Sequence, residues 1–298
     1  MTDEATYPNF GGVPTRAQGD VSRAEVVFVQ APYEGSVSYG SGTARGPAAI
    51  LEASRQVETR DEETRVRLED LSFCLGPVVE PAPAEGPRAY TERVRAAVRE
   101  VVAADRIPFV LGGEHSVTIG AARAVREKHP RAHLLSLDAH GDLRDSYAGD
   151  DHSHACVVRR LLEGGPATIV GIRSYSVDEA RFAETAPGLR LVPARALLRD
   201  GVRPASLVED LGEEVYVTVD VDGLDPSVVP ATGTPEPGGL GWWDALELLR
   251  EVFARRRVVG MDVVELAPSP GLHGADFAVA RLVAKMLSYR SLGAGAPR

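Results

Sequence analysis

The chain has 298 residues, 44% hydrophobic and 26% charged, which is enough for a large domain with a sizeable core and ordinary for a soluble globular protein. Its 33 basic and 43 acidic residues give a formal charge of −10, which argues against nucleic acid or an anionic membrane as the main partner and is compatible with a small cation. There is no signal-peptide h-region, no apolar run long enough to span a bilayer, and only Cys74 and Cys156; no disulfide framework is implied and a cytoplasmic location is expected.

Residues 1–19 are polar and rich in Gly and Pro and are read as an N-terminal arm or cap outside the core. Residues 26–29 are expected as a buried strand, followed by a loop of glycines and aromatics, residues 31–43, where an open sheet presents its ligand side. A short helix should start at Gly46-Pro47, with Pro47 in the first turn. Residues 58–65 are charged and carry no assignment, and residues 71–87 include Val78-Val79 and a Pro-rich linker. The spacing of Val94, Ala97, Val98, Val101 and Val102 predicts a helix over 90–102. Beyond it, strands ending at Leu111 and spanning 134–137, 168–172, 191–192 and 215–219 alternate with helices over 116–128 and from about His154. Trp242, Ala245, Leu246, Leu249, Val252 and Phe253 mark an amphipathic helix, 258–264 a further strand, and Phe277, Ala280, Ala284 and Leu287 a closing helix. This alternation implies a mainly parallel sheet covered on both faces, and without a repeat or change of composition residues 1–298 are read as a single α/β domain.

Three strand ends carry unusual side chains. Residues 136–145 read Ser-Leu-Asp-Ala-His-Gly-Asp-Leu-Arg-Asp, so Asp138, His140 and Asp142 fall at i, i+2 and i+4. On the end of a strand those positions project to one side and bring together donors that manganese, iron or zinc accepts. Residues 109–116 form an apolar run that stops at Gly112-Gly113 and then offers His115. Residues 215–226 form a β-branched strand that ends in Asp220 and Asp222. Carboxylates beside so apolar a run require a cationic neighbour, and two divalent ions held by all three strand ends would supply it. All three motifs sit where open α/β sheets place their sites.

Gly112-Gly113-Glu114-His115-Ser116, Asp138-Ala139-His140-Gly141-Asp142, Asp220-Val221-Asp222-Gly223-Leu224-Asp225-Pro226 with Pro230, and Asp262-Val263-Val264-Glu265 occur in that order. Together they resemble the ureohydrolase family, which includes arginase, agmatinase, guanidinobutyrase and formiminoglutamase; residues 38–47 look like the substrate-side loop of agmatinase-like members. The resemblance implies a three-layer α/β/α fold, two Mn2+ per chain, and a homotrimer or homohexamer. Carried onto these positions, it implies that His115 and Asp142 complete one metal site, His140 and Asp222 the other, and that Asp138 and Asp220 bridge. Paired metals lower the pKa of a water, and the resulting hydroxide would attack a guanidinium carbon to give urea and an amine. His154 aligns with the family's proton-shuttling histidine and Glu265 with the carboxylate that pairs with the guanidinium. The implied activity is hydrolysis of a linear guanidino compound, agmatine first, with aminopropylagmatine, guanidinobutyrate and arginine as alternatives. A catalytically silent homologue should have lost ligands that are all present here.

The remaining polar and aromatic positions have plainer readings. His152 is expected as a surface histidine, Cys156 as a small buried apolar residue, His129 and His133 as solvated, and Trp242 and Trp243 as packing anchors. The loop over 143–153 contains no Asn and carries Asp145, Asp150 and Asp151 against Arg144. It is read as a net acidic region that would accept a distal ammonium and favour agmatine or a longer guanidino-polyamine over arginine.

Overall fold

The computed structural model describes residues 7–293. Eight strands, β1 (Val26–Ala31), β2 (Phe73–Val78), β3 (Ile107–Gly112), β4 (His133–Leu137), β5 (Ala167–Ile172), β6 (Leu189–Pro193), β7 (Glu214–Asp220) and β8 (Arg257–Val264), form one sheet in the order β2-β1-β3-β8-β7-β4-β5-β6. Every pairing is parallel, as the alternation of elements implies. The connecting helices are α1 (Gly46–Ser54), α2 (Pro87–Ala103), α3 (Val117–Lys128), α4 (Val157–Leu162), α5 (Val177–Thr185), α6 (Ala194–Leu198), α7 (Pro204–Glu209), α8 (Trp242–Arg255) and α9 (His273–Leu292). Ile50 of α1, Leu207 of α7, Leu249 of α8 and Val283 of α9 pack against one face of the sheet. Val94 of α2, Val125 of α3 and Val158 of α4 pack against the other. The result is the expected three-layer α/β/α architecture, and its covered strands read as near-continuous apolar runs for that reason.

Local chemistry explains where several helices begin. Ser176 and Glu179 form a reciprocal capping box at the start of α5, and the Asp244 carboxylate accepts the Gly241 N–H at 2.9 Å before α8. β2 was not expected from the sequence because Gly76-Pro77 interrupts its pattern; proline is tolerated there since β2 is an edge strand. The expected N-terminal arm is also revised. Residues 1–6 lie outside the described residues, but Phe10 is fully buried, stacks on Phe28 at 5.5 Å and meets Phe73 edge-on at 6.3 Å, so this segment enters the core. The unassigned charged segment 58–65 also has a partner: Lys285 of α9, fully buried, places Nζ 2.9 Å from Asp61 and 3.2 Å from Glu63.

β3, β8, β7 and β4 are neighbours in the sheet. Adjacent strands lie about 4.8 Å apart, so their carboxyl ends fall within roughly 15 Å and side chains projecting from them can converge. The chain after β3 keeps to the sheet, with Gly113 N–H donating to Ala31 O at 2.8 Å and Glu265 N–H to Gly113 O at 2.8 Å. A Cβ at Gly113 would lie 2.0 Å from Tyr33 O, which is why this position requires glycine.

Candidate active site

His115 follows β3, Asp138 follows β4, and Asp220 ends β7. Asp138 Oδ2 lies 3.3 Å from His115 Nδ1, while its Oδ1 accepts the His140 N–H at 2.6 Å and lies 3.8 Å from His140 Nδ1. One carboxylate thus presents an oxygen to each histidine. His115 Nδ1 is also 3.0 Å from Asp142 Oδ2 and 3.3 Å from Asp220 Oδ2, and His140 Nδ1 is 3.0 Å from Asp222 Oδ2. Asp142 reaches inward from a left-handed backbone conformation, φ 48°, where the chain turns away from β4. His115, Asp138 and Asp220 form one group of ligand atoms within 4.8 Å of one another, and Asp138, His140 and Asp222 form a second. All six residues expected from the sequence come together, with Asp138 common to both groups.

The electrostatics of this cluster suit cations. Burial opposes a cation at His140, yet the hydrogen bond to Asp222 and the charges of Asp222, Asp138 and Asp142 raise its pKa to about 10. Burial and the charge of Asp138 push Asp142 up to about 7, and burial with Asp222 and Asp138 drives Asp220 well above the carboxylate range. His115 Nδ1 and Asp138 Oδ2 are buried without a hydrogen-bond partner. Four carboxylates and two imidazoles crowded in this way, with acceptors left over, fit a pair of divalent ions.

A further set of residues orients His115. Its Nε2 lies 3.0 Å from Thr218 Oγ1, which donates to Asp262 Oδ1 at 2.5 Å. Asp262 Oδ2 accepts Tyr216 OH at 2.7 Å and Thr118 Oγ1 at 2.9 Å. Since Thr218 donates its proton to Asp262, it accepts from Nε2–H, and Nδ1 is the nitrogen left to meet an ion held by the aspartate cluster. The sequence reading missed Thr218, Tyr216 and Asp262 as supporting residues. A signal existed: Tyr216, Thr218 and Asp220 alternate with Val215, Val217 and Val219, so one face of β7 is polar along its length, opposite Asp262 in register with Thr218.

The cluster opens into a cavity of about 350 Å³ whose lining also includes His154, Glu265, Ser38, Arg144 and Glu179. Glu265 Oε1 accepts the His115 N–H at 2.6 Å, and burial together with the Glu114 charge raises its carboxyl well above the usual range. His154 places Nε2 2.8 Å from Ser38 Oγ and Nδ1 3.2 Å from Ser36 Oγ; burial and the charges of His115 and His140 lower its pKa to about 4.

Several expectations are corrected. His152 is buried, with Nδ1 2.8 Å from Asp151 and Nε2 3.1 Å from Arg123. His133 is buried as the first residue of β4, and Trp243 is 64% exposed, so neither is what its neighbours in sequence suggested. Asp145 pairs with Arg160 at 2.6 Å, Asp151 pairs with Arg88 and His152, and Asp150 accepts the His152 N–H at 2.7 Å. None of these aspartates lines the cavity, so the loop does not make it acidic; its contribution there is Arg144, whose guanidinium lies 5.2 Å over the Tyr147 ring.

The chain matches the model of the arginase family over residues 24–288. It is 39% identical over 275 residues, 91% of this chain and 92% of the relative, to N(1)-aminopropylagmatine ureohydrolase of Thermus thermophilus. It is 36% identical over 250 residues, 83% of this chain and 86% of the relative, to agmatinase of Pyrococcus horikoshii. The crystal structure of agmatine ureohydrolase of Thermoplasma volcanium superimposes with a TM-score of 0.83 at 29% identity, covering 93% of each chain. The family match spans most of the chain, and a relative of 39% identity covers 91% of it, so the protein belongs to the arginase family.

Proposed function

We propose that this protein, a metal-dependent amidinohydrolase of the arginase family, acts as a single domain on a linear guanidino compound with a cationic tail, agmatine or aminopropylagmatine, releasing urea. The observation that carries this reading is the convergence of His115, His140 and four aspartates beneath one cavity that also admits Glu265 and His154. His115 and Asp142 would complete one ion's site and His140 and Asp222 the other, with Asp138 and Asp220 shared. Manganese is proposed from the family resemblance, and a donor set of imidazole and carboxylate accepts it. When bound, the ions supply a water of lowered pKa as the nucleophile for the guanidinium carbon.

The chain's own residues do the rest. The Glu265 carboxylate pairs with the planar guanidinium by charge-assisted hydrogen bonds and holds its carbon over the cluster. His154, neutral when free, presents Nε2 on the cavity side, takes up a proton as water adds and delivers it to the amine nitrogen as the C–N bond breaks. The names of the relatives support a cationic tail; the amine product would then enter polyamine biosynthesis. The free cysteines Cys74 and Cys156 support a cytoplasmic location, and membership of the family supports a homotrimer or homohexamer. No helix among the described residues is long and apolar enough to cross a membrane.

The test is urea release from agmatine, aminopropylagmatine, guanidinobutyrate and arginine at matched manganese and pH. Agmatine or aminopropylagmatine should show the highest kcat/KM. Comparable or faster release from arginine or guanidinobutyrate overturns the substrate assignment, and no urea from any of them with metal bound leaves a silent homologue.

A further inference from the structure

Glu114 precedes His115 and is fully buried, with its carboxylate turned to the loop after β1. Its Oε2 accepts the N–H groups of Gly35 and Ser36 at 2.6 and 2.7 Å, and its Oε1 accepts Ser36 Oγ at 2.7 Å and Ser116 Oγ at 2.6 Å. Four donors to one buried carboxylate make a rigid anchor for the loop after β1. The loop is pinned again farther on, where Glu34 Oε2 accepts Gly42 N–H at 2.5 Å and Thr43 Oγ1 at 3.1 Å.

A hydroxyl has one proton to give. Ser36 gives its proton to Glu114, so at its other contacts it accepts: from the His154 backbone N–H at 3.0 Å and from His154 Nδ1 at 3.2 Å. Nδ1 then carries the imidazole proton, with Ser153 Oγ also 3.2 Å away, and the Nε2 lone pair receives Ser38 Oγ–H at 2.8 Å on the cavity side. We propose that Glu114 and Ser36 are positioning residues for His154, holding its ring and its tautomer so that Nε2 serves the reacting atoms. One two-residue unit, Glu114-His115, then sets both the aspartate cluster and the proton carrier, which keeps their separation constant.

The proposal rests on His154 being the proton carrier, and the experiment separates the two ideas. Manganese-loaded Ser36→Ala, Ser36→Thr, His154→Ala and the Ser36→Ala/His154→Ala double variant are assayed for urea release, KM and metal content. Ser36→Ala should lower kcat about tenfold or more, up to the roughly 10²–10⁴-fold of losing the general acid–base group itself, with KM and metal content nearly unchanged. Ser36→Thr, which keeps the hydroxyl, should recover most of the rate. In the His154→Ala background, Ser36→Ala should cost nothing further, because the residue acts through His154. A silent Ser36→Ala, or an equal loss in both backgrounds, overturns the positioning role. Full activity of His154→Ala instead removes the reading beneath it. The imidazole nitrogen NMR spectrum of the unaltered protein gives a test that needs no variant: His154 should be protonated at Nδ1, and protonation at Nε2 alone overturns the proposal.

Discussion

His115 Nε2 and Thr218 Oγ1 lie 3.0 Å apart, and Thr218 passes its own proton to Asp262. This pair decides which nitrogen of His115 faces the aspartates. Thr218→Val should therefore weaken manganese binding by about 10–100-fold, the usual effect of losing a partner to a ligating histidine. A manganese titration of the metal-stripped protein checks it; an unchanged affinity would mean that the ring is held by packing alone.

Removal of metal should lower stability as well as activity. Asp138, Asp142, Asp220 and Asp222 are buried together, and each ion that binds only the folded chain stabilises it by about 2.7 kcal/mol at one hundred times its Kd. Chelation should depress activity and Tm together, and added manganese should restore both. Full activity in rigorously metal-free protein is the outcome that ends this account.

His154 and His152 are two residues apart and should behave oppositely. His154→Ala should reduce kcat by roughly 10²–10⁴-fold while metal content holds. His152 bridges Asp151 and Arg123 beneath the loop, so His152→Ala should mainly lower stability, by about 1–3 kcal/mol. Paired kinetic and melting measurements decide it, and the reverse pattern would reassign the two.

His133 predicts a pH dependence of stability. Gly212 N–H donates to its Nδ1 at 3.3 Å and its Nε2 lies 2.9 Å from Thr168 Oγ1. Burial, and secondarily the Arg126 cation, depress its pKa from 6.5 to about 4. The unfolded chain therefore binds the proton first on acidification. The contribution is complete above pH 6.5 and is lost as pH falls through about 4, to a total of about 3 kcal/mol. Denaturant unfolding between pH 4 and 7 should show this slope, and His133→Asn should flatten it.

Phe10→Ala should destabilise the fold by about 3–5 kcal/mol, since its ring is fully buried against Phe28 and Phe73. A loss below about 1 kcal/mol in urea unfolding would return this segment to the role of a detachable arm.

The candidate residues were legible in the sequence because Asp138, His140 and Asp142, and then Asp220 and Asp222, follow apolar runs that announce buried parallel strands. The period of a strand does not itself place them: β4 ends at Leu137, Asp142 lies in a left-handed turn and Asp222 in a 3-10 turn. The same local rule did not reach β2, where Gly76-Pro77 breaks the pattern and only an edge position makes it acceptable. Nor could it say where a charge points. Asp145, Asp150 and Asp151 share a loop with Arg144, yet the aspartates are claimed by Arg160, His152 and Arg88 from other segments, and Arg144 reaches the cavity. Likewise, the proton held between Thr218 and Asp262 joins β7 to β8, and the one between Ser36 and Glu114 joins residues 78 apart. Which residues are candidates for chemistry was set by the chain itself through side-chain type and position after apolar strands. How those residues are oriented and which charges remain unneutralised were settled only by the fold, because hydrogen-bond and ion-pair partners are chosen by distance in space.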